Sequence, residues 1–224
     1  VRRLLDNGSR VHIIEKNKGG PYPDVPDGIR SEGLTYDTIR TGPVQKTKFI
    51  RRYIDDVIYA FKCVKYYRKQ KDADVVFLQS CNTAFFHVKL LRFIVGAPVV
   101  FNVQDVFPVN AAISGIIKPE SVVYRLLSVL QRRAYKACER VITISGDMRN
   151  TLISEGVPAG KVDVIHNWSH SDDLTDIPPE RNEFVKDNDI SLDGYKVVYA
   201  GNIGLLQNVG VIIEAAFLLK DAGD

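Results

Sequence analysis

The sequence predicts an α/β protein: a Rossmann-like parallel sheet with helices on both faces. Three observations carry this. Short β-branched apolar runs alternate with amphipathic segments of helical period, the pattern of parallel strands joined by crossover helices. Several runs have almost no polar interruption, as strands covered on both sides require. Glycines and capping residues fall where the period changes.

The elements follow in order. Residues 1–8 read as the end of a helix, closed by Gly8. Strands are predicted at 10–15, 34–40, 75–78, 98–103, 140–144, 162–165 and 196–200, and helices at 48–71, 83–95, 119–137, 147–155 and 207–219. Asn82 and Ser145 are placed as N-caps, Pro119 at a first helical position, and Gly96 and Gly156 as helix ends. The stretch 19–28, with three glycines and three prolines, must be a loop. The stretch 172–194, rich in Asp, Asn and Pro, reads as a linker holding a short helix near 180–186. The expected organisation is therefore a domain over 1–170, a linker over 171–194, and the opening strand–loop–helix of a second, incomplete domain over 195–224.

Composition excludes several classes. Of 224 residues 45% are apolar and 25% charged, which is ordinary for a soluble protein. The longest apolar candidates, 85–100 and 122–130, are broken by Lys89, Arg92 and Arg125, well short of the ~20 residues that span a bilayer. Cys63, Cys81 and Cys138 are odd in number and far apart, which fits buried small hydrophobes rather than disulfides or a zinc site. No metal or cofactor is expected. A net charge of +3 does not point to nucleic acid. Its distribution is uneven: basic residues outnumber Asp55 and Asp56 between 46 and 71, while 172–193 is acidic. That asymmetry suits an anionic surface or ligand.

In open parallel sheets ligands sit at the carboxyl ends of strands, so four strand exits hold the candidate chemistry. They are Gln104-Asp105 through Pro108, Ser145 through Arg149, His166-Asn167-Trp168, and Gly201-Asn202-Ile203-Gly204. Gly201 and Gly204 flank a loop leading to a helix near Gln207, whose amides and dipole suit a pyrophosphate; a plain strand-to-helix turn would use the same glycines. The loop is neither a dinucleotide fingerprint nor a P-loop. Asp105 positions a hydroxyl or caps backbone N–H groups. Gln104 cannot act as a base. Ser145 is a helix cap whose hydroxyl could also reach a ligand. His166 and Asn167 lie in the cleft or at a hinge, and Trp168 packs the junction. On the 48–71 helix, Arg51, Arg52, Lys62, Lys65, Arg68 and Lys69 are interleaved with aromatics. The aromatic stripe reads as core and the basic face as turned to an anionic lipid surface.

In order, Ala137 through Ser145, Met148-Arg149, Gly156-Val-Pro158, Lys161 through Trp168 and the Gly201–Gly204 loop resemble family 4 of the retaining glycosyltransferases. The similarity is greatest to the branch that builds capsule, colanic-acid and O-antigen units. Asp105 followed by an aromatic and Pro108 is typical of that branch too. The resemblance implies a two-domain GT-B fold in which a nucleotide-diphosphate sugar is the donor. The acceptor is a saccharide, often polyprenyl-linked at the inner leaflet, so the protein is expected in the cytoplasm or peripheral on that membrane. It places Gln104-Asp105 where many members carry His-Asp, and Asn202 and Gln207 where many carry a phosphate-binding Arg and Lys. The burden of phosphate binding thus moves to backbone amides and to residues beyond Asp224. It implies that the leaving phosphate accepts the acceptor's proton. The family's first strand and its Glu-x7-Glu motif are absent from the sequence, so the chain alone is expected to be inactive, and the 196–200 strand is expected to fill the gap beside the Val11 strand. A nucleotide-sugar 2-epimerase and a non-catalytic, acceptor-presenting subunit at the membrane are the competing readings.

Overall fold

A computed structural model describes residues 1–17, 32–41, 49–167, 177–194, 196–201, 203 and 207–222. The loop predicted over 19–28, Trp168 and the predicted donor residues Asn202 and Gly204 lie outside them. The chain divides into two compact units, Val1–His166 and Asn167–Asp224.

In the first unit, α1 (Arg2–Asp6) ends at Gly8, whose φ of +79° is the left-handed value a helix stop requires. β1 (Val11–Asn17) pairs in parallel with β2 (Leu34–Arg40), Val11 opposite Leu34 and Asn17 opposite Arg40. A second parallel sheet holds β3 (Val76–Gln79), β4 (Val99–Val103), β5 (Arg140–Thr143) and β6 (Val162–Val164) in that spatial order. Between the strands run α2 (Phe49–Tyr67), α3 (Ala84–Ile94), α4 (Val109–Ile113), α5 (Val122–Ala137) and α6 (Gly146–Ser154). Each crossover advances the sheet by one strand in the same direction. Because such crossovers are right-handed, the connecting helices collect on one face.

Burial along the strands shows which face. Val99, Phe101 and Val103 alternate with the less buried Val100 and Asn102 on β4, the two-residue period of a strand. The inward set packs with Val88 and Leu91 of α3, Ala134 and Tyr135 of α5, and Leu152 of α6. The Tyr135 ring stacks on Phe101 at 5.7 Å between centroids. Phe77, out of phase with this set on β3, is 59% exposed. Burying side chains of this size stabilises by about 1.5–3 kcal/mol each, so the helix-covered face is where the sheet is anchored.

A second packed group lies between α2 and α3. The Tyr67 hydroxyl is 2.7 Å from His87 Nδ1, and the Tyr59 and His87 rings meet at 5.8 Å. Beside it Lys16, near the end of β1, reaches Asp56 of α2 at 2.5 Å and lies 5.4 Å over the Tyr59 ring. These contacts tie the two-stranded sheet to α2.

Several boundaries and one strand differ from the sequence reading. α3 has Thr83 as its N-cap, not Asn82, and Thr83 makes no side-chain capping bond. α5 starts at Val122 rather than Pro119, because Ser121 Oγ accepts the Tyr124 N–H at 3.2 Å and sets the first turn there. Residues 196–200 form no strand and add nothing to either sheet; Val197 and Val198 are 68% and 81% exposed. The expected filling of the gap beside β1 is therefore not observed. A parallel strand needs a neighbour to satisfy its N–H and C=O groups, and among the described residues no strand pairs with this segment. The second unit contains a 3-10 turn (Pro179–Arg181), α7 (Glu183–Asp187), capped by Asn182 on the Phe184 N–H at 3.0 Å, and α8 (Gly210–Ala222).

Candidate functional site

The site begins with strand register. Val103 of β4 lies opposite Thr143 of β5, which lies opposite Val164 of β6. Three parallel strands therefore end level, and the residues that follow them emerge side by side. Strand spacing is about 4.8 Å, so Asp105, Ser145 and His166 occupy one edge about two spacings long.

Asp105 is exposed and Gln104 half-buried. The loop that carries them is pinned by the next residues, Val106 and Phe107, which are 9% and 7% exposed. Tyr53 of α2 stacks on Phe107 at 6.4 Å. The Phe107–Pro108 peptide is cis, and α4 follows directly. Asp105 thus stands on a loop whose anchor is apolar, with its carboxylate left to solvent. That arrangement suits an acceptor of a hydrogen bond from a ligand hydroxyl.

Ser145 caps α6: its hydroxyl oxygen accepts the Met148 N–H at 3.2 Å. This leaves the hydroxyl proton for a second partner. His166 lies immediately beside it. Its Nδ1 is 2.9 Å from the carbonyl oxygen of Ile144, and a carbonyl can only accept, so Nδ1 carries the proton. In the neutral ring Nε2 is then a lone-pair acceptor. The β5 and β6 exits are cross-linked by that bond as well as by the Ile165 N–H to Thr143 carbonyl bond at 2.8 Å.

The remaining predicted residues fall in the second unit or on and just beyond α2. Asn167 is exposed and opens the second unit. Within that unit Gly201 and Gln207 are both exposed. A Cβ on Gly201 would come 3.0 Å from the Tyr199 hydroxyl, the tip of a flexible side chain, so this contact does not by itself demand glycine. The helix predicted to begin at Gln207 begins at Gly210, with Asn208 at a φ of +43° before it. On α2, Arg51, Lys62 and Lys65 are exposed, as are Arg68 and Lys69 just beyond it, while the Arg52 side chain lies outside the described residues.

Two features were not read from the sequence. One is the Lys16–Asp56 pair, whose members are 40 residues apart. The other is the exposed apolar set Ile54, Ile58 and Phe61 on α2, at 52%, 46% and 61%. Their i, i+4, i+7 spacing was the available signal for a common face. Among the described residues no group of His, Cys, Asp and Glu could hold a metal ion, and no helix is long and apolar enough to cross a membrane.

A parallel α/β sheet whose strand exits end level is a Rossmann-like arrangement, in which ligands bind at the carboxyl edge of the strands. Comparison with known proteins names the family. The family model Glycosyltransferase Family 4 matches residues 1–170, and the chain belongs to glycosyltransferase family 4. WbjE of Pseudomonas aeruginosa, named as a glycosyltransferase, is 30% identical over 180 residues, covering 79% of this chain and 44% of that protein. WcaI of Escherichia coli, named as a colanic acid biosynthesis glycosyl transferase, is 32% identical over 144 residues, covering 60% and 34%. The chain thus spans less than half the length of these curated relatives. The crystal structure of Anabaena HepE in complex with UDP and glucose matches with a TM-score of 0.44 at 14% identity, over 70% of this chain and 37% of that one.

Proposed function

We propose that this chain supplies the acceptor side of a retaining transferase that moves a sugar from a nucleotide-diphosphate donor to a saccharide acceptor, polyprenyl-linked, in cell-surface polysaccharide assembly. The observation that carries this reading is the level edge formed by Asp105, Ser145 and His166. The names of the relatives WbjE and WcaI support the reaction class, and that of WcaI the colanic-acid type of pathway.

The chemistry fits a site without a carboxylate pair. The acceptor hydroxyl oxygen bonds to the anomeric carbon on the face the diphosphate leaves. The anomeric carbon–oxygen bond to phosphate breaks, and the departing phosphate oxygen takes the hydroxyl proton. No side-chain base is needed for that step, so Gln104 is no obstacle. Asp105 orients the acceptor hydroxyl. On the donor side Gly201, Asn202, Gly204 and Gln207 offer backbone amides and an amide side chain to the diphosphate.

The reading includes that the 224 residues alone do not turn over. The test is acceptor-dependent release of nucleoside diphosphate from sugar nucleotides. The full-length transferase is expected to show it, and Asp105→Asn to reduce it by about 100-fold, the scale of a lost positioning group. Unchanged turnover in that variant, or turnover by the 224-residue chain, would overturn the corresponding part. A second reading is a subunit that binds acceptor without catalysing transfer. Acceptor binding with no nucleotide release at full length would select it.

A further inference from the structure

A line of contacts runs from the loop that carries Asp105 to the end of β1. Phe107, two places after Asp105, stacks on Tyr53 of α2 at 6.4 Å. Burial raises the Tyr53 phenol above its ordinary range, and the charge of Asp56, one helical turn on, adds to the effect. Asp56 in turn meets Lys16 at 2.5 Å, and Lys16 lies over the Tyr59 ring. Tyr53 and Asp56 fall in the first half of α2, and both touch residues at strand ends: Phe107 after β4, Lys16 near the end of β1. The first half of α2 therefore borders the Asp105 loop on the side where parallel sheets take their ligands.

A half-buried ion pair is a poor device for holding a helix to a strand. The Lys16 and Asp56 side chains are 18% and 23% exposed, so both charges lose much of their hydration. Apolar residues of similar volume would join β1 to α2 as well or better. What the pair supplies and apolar residues cannot is hydrogen-bonding capacity that still reaches solvent. An ammonium has three donors and a carboxylate about four lone-pair sites, so one bond between them uses a small part of it. The surroundings are aromatic, with Tyr53 and Tyr59 half-buried on either side. Apolar walls around a few fixed polar groups are the make-up of a small-molecule site.

We propose that Lys16, Asp56 and Tyr53 form a subsite for a neutral sugar ring. Neighbouring hydroxyls of the ring bridge the ion pair, one accepting from Lys16 and the next donating to Asp56. A carbon–hydrogen face of the ring lies on Tyr53. Because only the Tyr53–Phe107 stack separates this pair from the Asp105 loop, the ring held here is the unit next to the one whose hydroxyl Asp105 orients. A donor and an acceptor side by side select a neutral diol. A uronic acid is disfavoured, since its carboxylate would stand against Asp56. The proposal rests on the acceptor-side reading for its place in the reaction only; sugar binding is measured without donor or transfer, so either can fail alone.

The experiment is saturation-transfer NMR on the 224-residue chain with the methyl glycosides of glucose, galactose and glucuronic acid. The expected result is binding of at least one neutral glycoside and weaker binding of the glucuronide. Lys16→Met combined with Asp56→Leu should keep the urea midpoint of the parent, as an ion pair replaced by apolar residues does. The same double variant should bind the neutral glycoside about tenfold more weakly, the scale of a lost hydrogen bond to a charged group. Tyr53→Leu should weaken binding about fivefold, whereas Lys89→Gln, at an exposed position of α3, should not change it. Circular dichroism confirms folding of each variant, and Tyr53→Leu keeps the test open if the double variant fails to fold. Absence of binding by every neutral glycoside, or a glucuronide bound as well as the glucoside, would overturn the proposal. So would unchanged binding by Tyr53→Leu, or a folded double variant that binds as the parent does, which would make the pair a tie between β1 and α2 and nothing more.

Discussion

The hydroxyl of Tyr67 and the Nδ1 of His87 meet at 2.7 Å in the interior between α2 and α3, where His87 is 3% exposed. Burial disfavours the imidazolium and pulls the His87 pKa down to about 4, with Asp56 opposing weakly. The same burial pushes the Tyr67 phenol well above its ordinary range. The pair is therefore neutral at physiological pH.

Stability should depend on acid through this histidine. The unfolded chain binds its proton near pH 6.5 and the folded one only near pH 4, so between those values the unfolded state holds more protons and stability falls as pH falls. The contribution is fully present above pH 6.5, and about 3 kcal/mol is lost by pH 4. Urea titrations across that window should show the slope. His87→Gln should lower stability at pH 7 and flatten the dependence; an unchanged slope would place the acid sensitivity elsewhere.

Ser145 gives a prediction that separates fold from function. Its hydroxyl satisfies the Met148 N–H, one of the orphan donors at the start of α6. Ser145→Ala should cost about 1 kcal/mol in a denaturant melt, and Ser145→Asp, which keeps an accepting oxygen, much less. If Ser145 also touches substrate, transfer by the full-length protein should fall in both variants, while stability falls mainly in the first. Equal loss of both quantities in Ser145→Ala with full rescue by Ser145→Asp would leave it a cap alone.

The thiols should be inert. Burial pushes Cys81 up to about 11 and Cys138 up to about 12, and raises Cys63 as well. At pH 8 the thiolate fraction of Cys81 is then on the order of one in a thousand. Native protein should react slowly with a thiol-specific disulfide reagent and yield three equivalents once unfolded. A rapidly labelled native thiol would mean that one of these side chains opens to solvent.

The strands of the first unit were legible because apolar runs such as 98–103 leave few alternatives, and their order follows from short right-handed crossovers. Helix stops were legible at Gly96 and Gly156, where positive φ selects glycine. The start of α5 was not, since Pro119 satisfies a local preference that Ser121 outcompetes by making a bond. Nor was the absence of strand 196–200, whose apolar residues promise a strand but whose pairing depends on a neighbour. Of the candidate site, Asp105, Ser145 and His166 could be placed on one edge from strand order alone. The bond from His166 to Ile144 could not, because it depends on side-chain geometry across 22 residues. The Lys16–Asp56 pair is hidden for the same reason.

Gly156 offers the sharpest test of the backbone. Its φ of +86° closes α6, where the Gly156 N–H bonds the Ile153 carbonyl and the Val157 N–H the Leu152 carbonyl. A Cβ there would be strained by its conformation, costing about 1–2 kcal/mol. It would also approach Arg132 Cδ at 3.4 Å, an ordinary contact that adds little. The strain alone therefore sets the effect. Gly156→Ala should lower stability by about 1–2 kcal/mol, seen as a reduced urea midpoint with unchanged slope. Gly156→Asn should lose less, because asparagine tolerates the left-handed region better. An Arg132→Ala background, which removes the neighbouring side chain along with its ion pair to Glu155 at 3.4 Å, should not rescue Gly156→Ala. Rescue there would mean that crowding, rather than backbone conformation, makes glycine necessary at this turn.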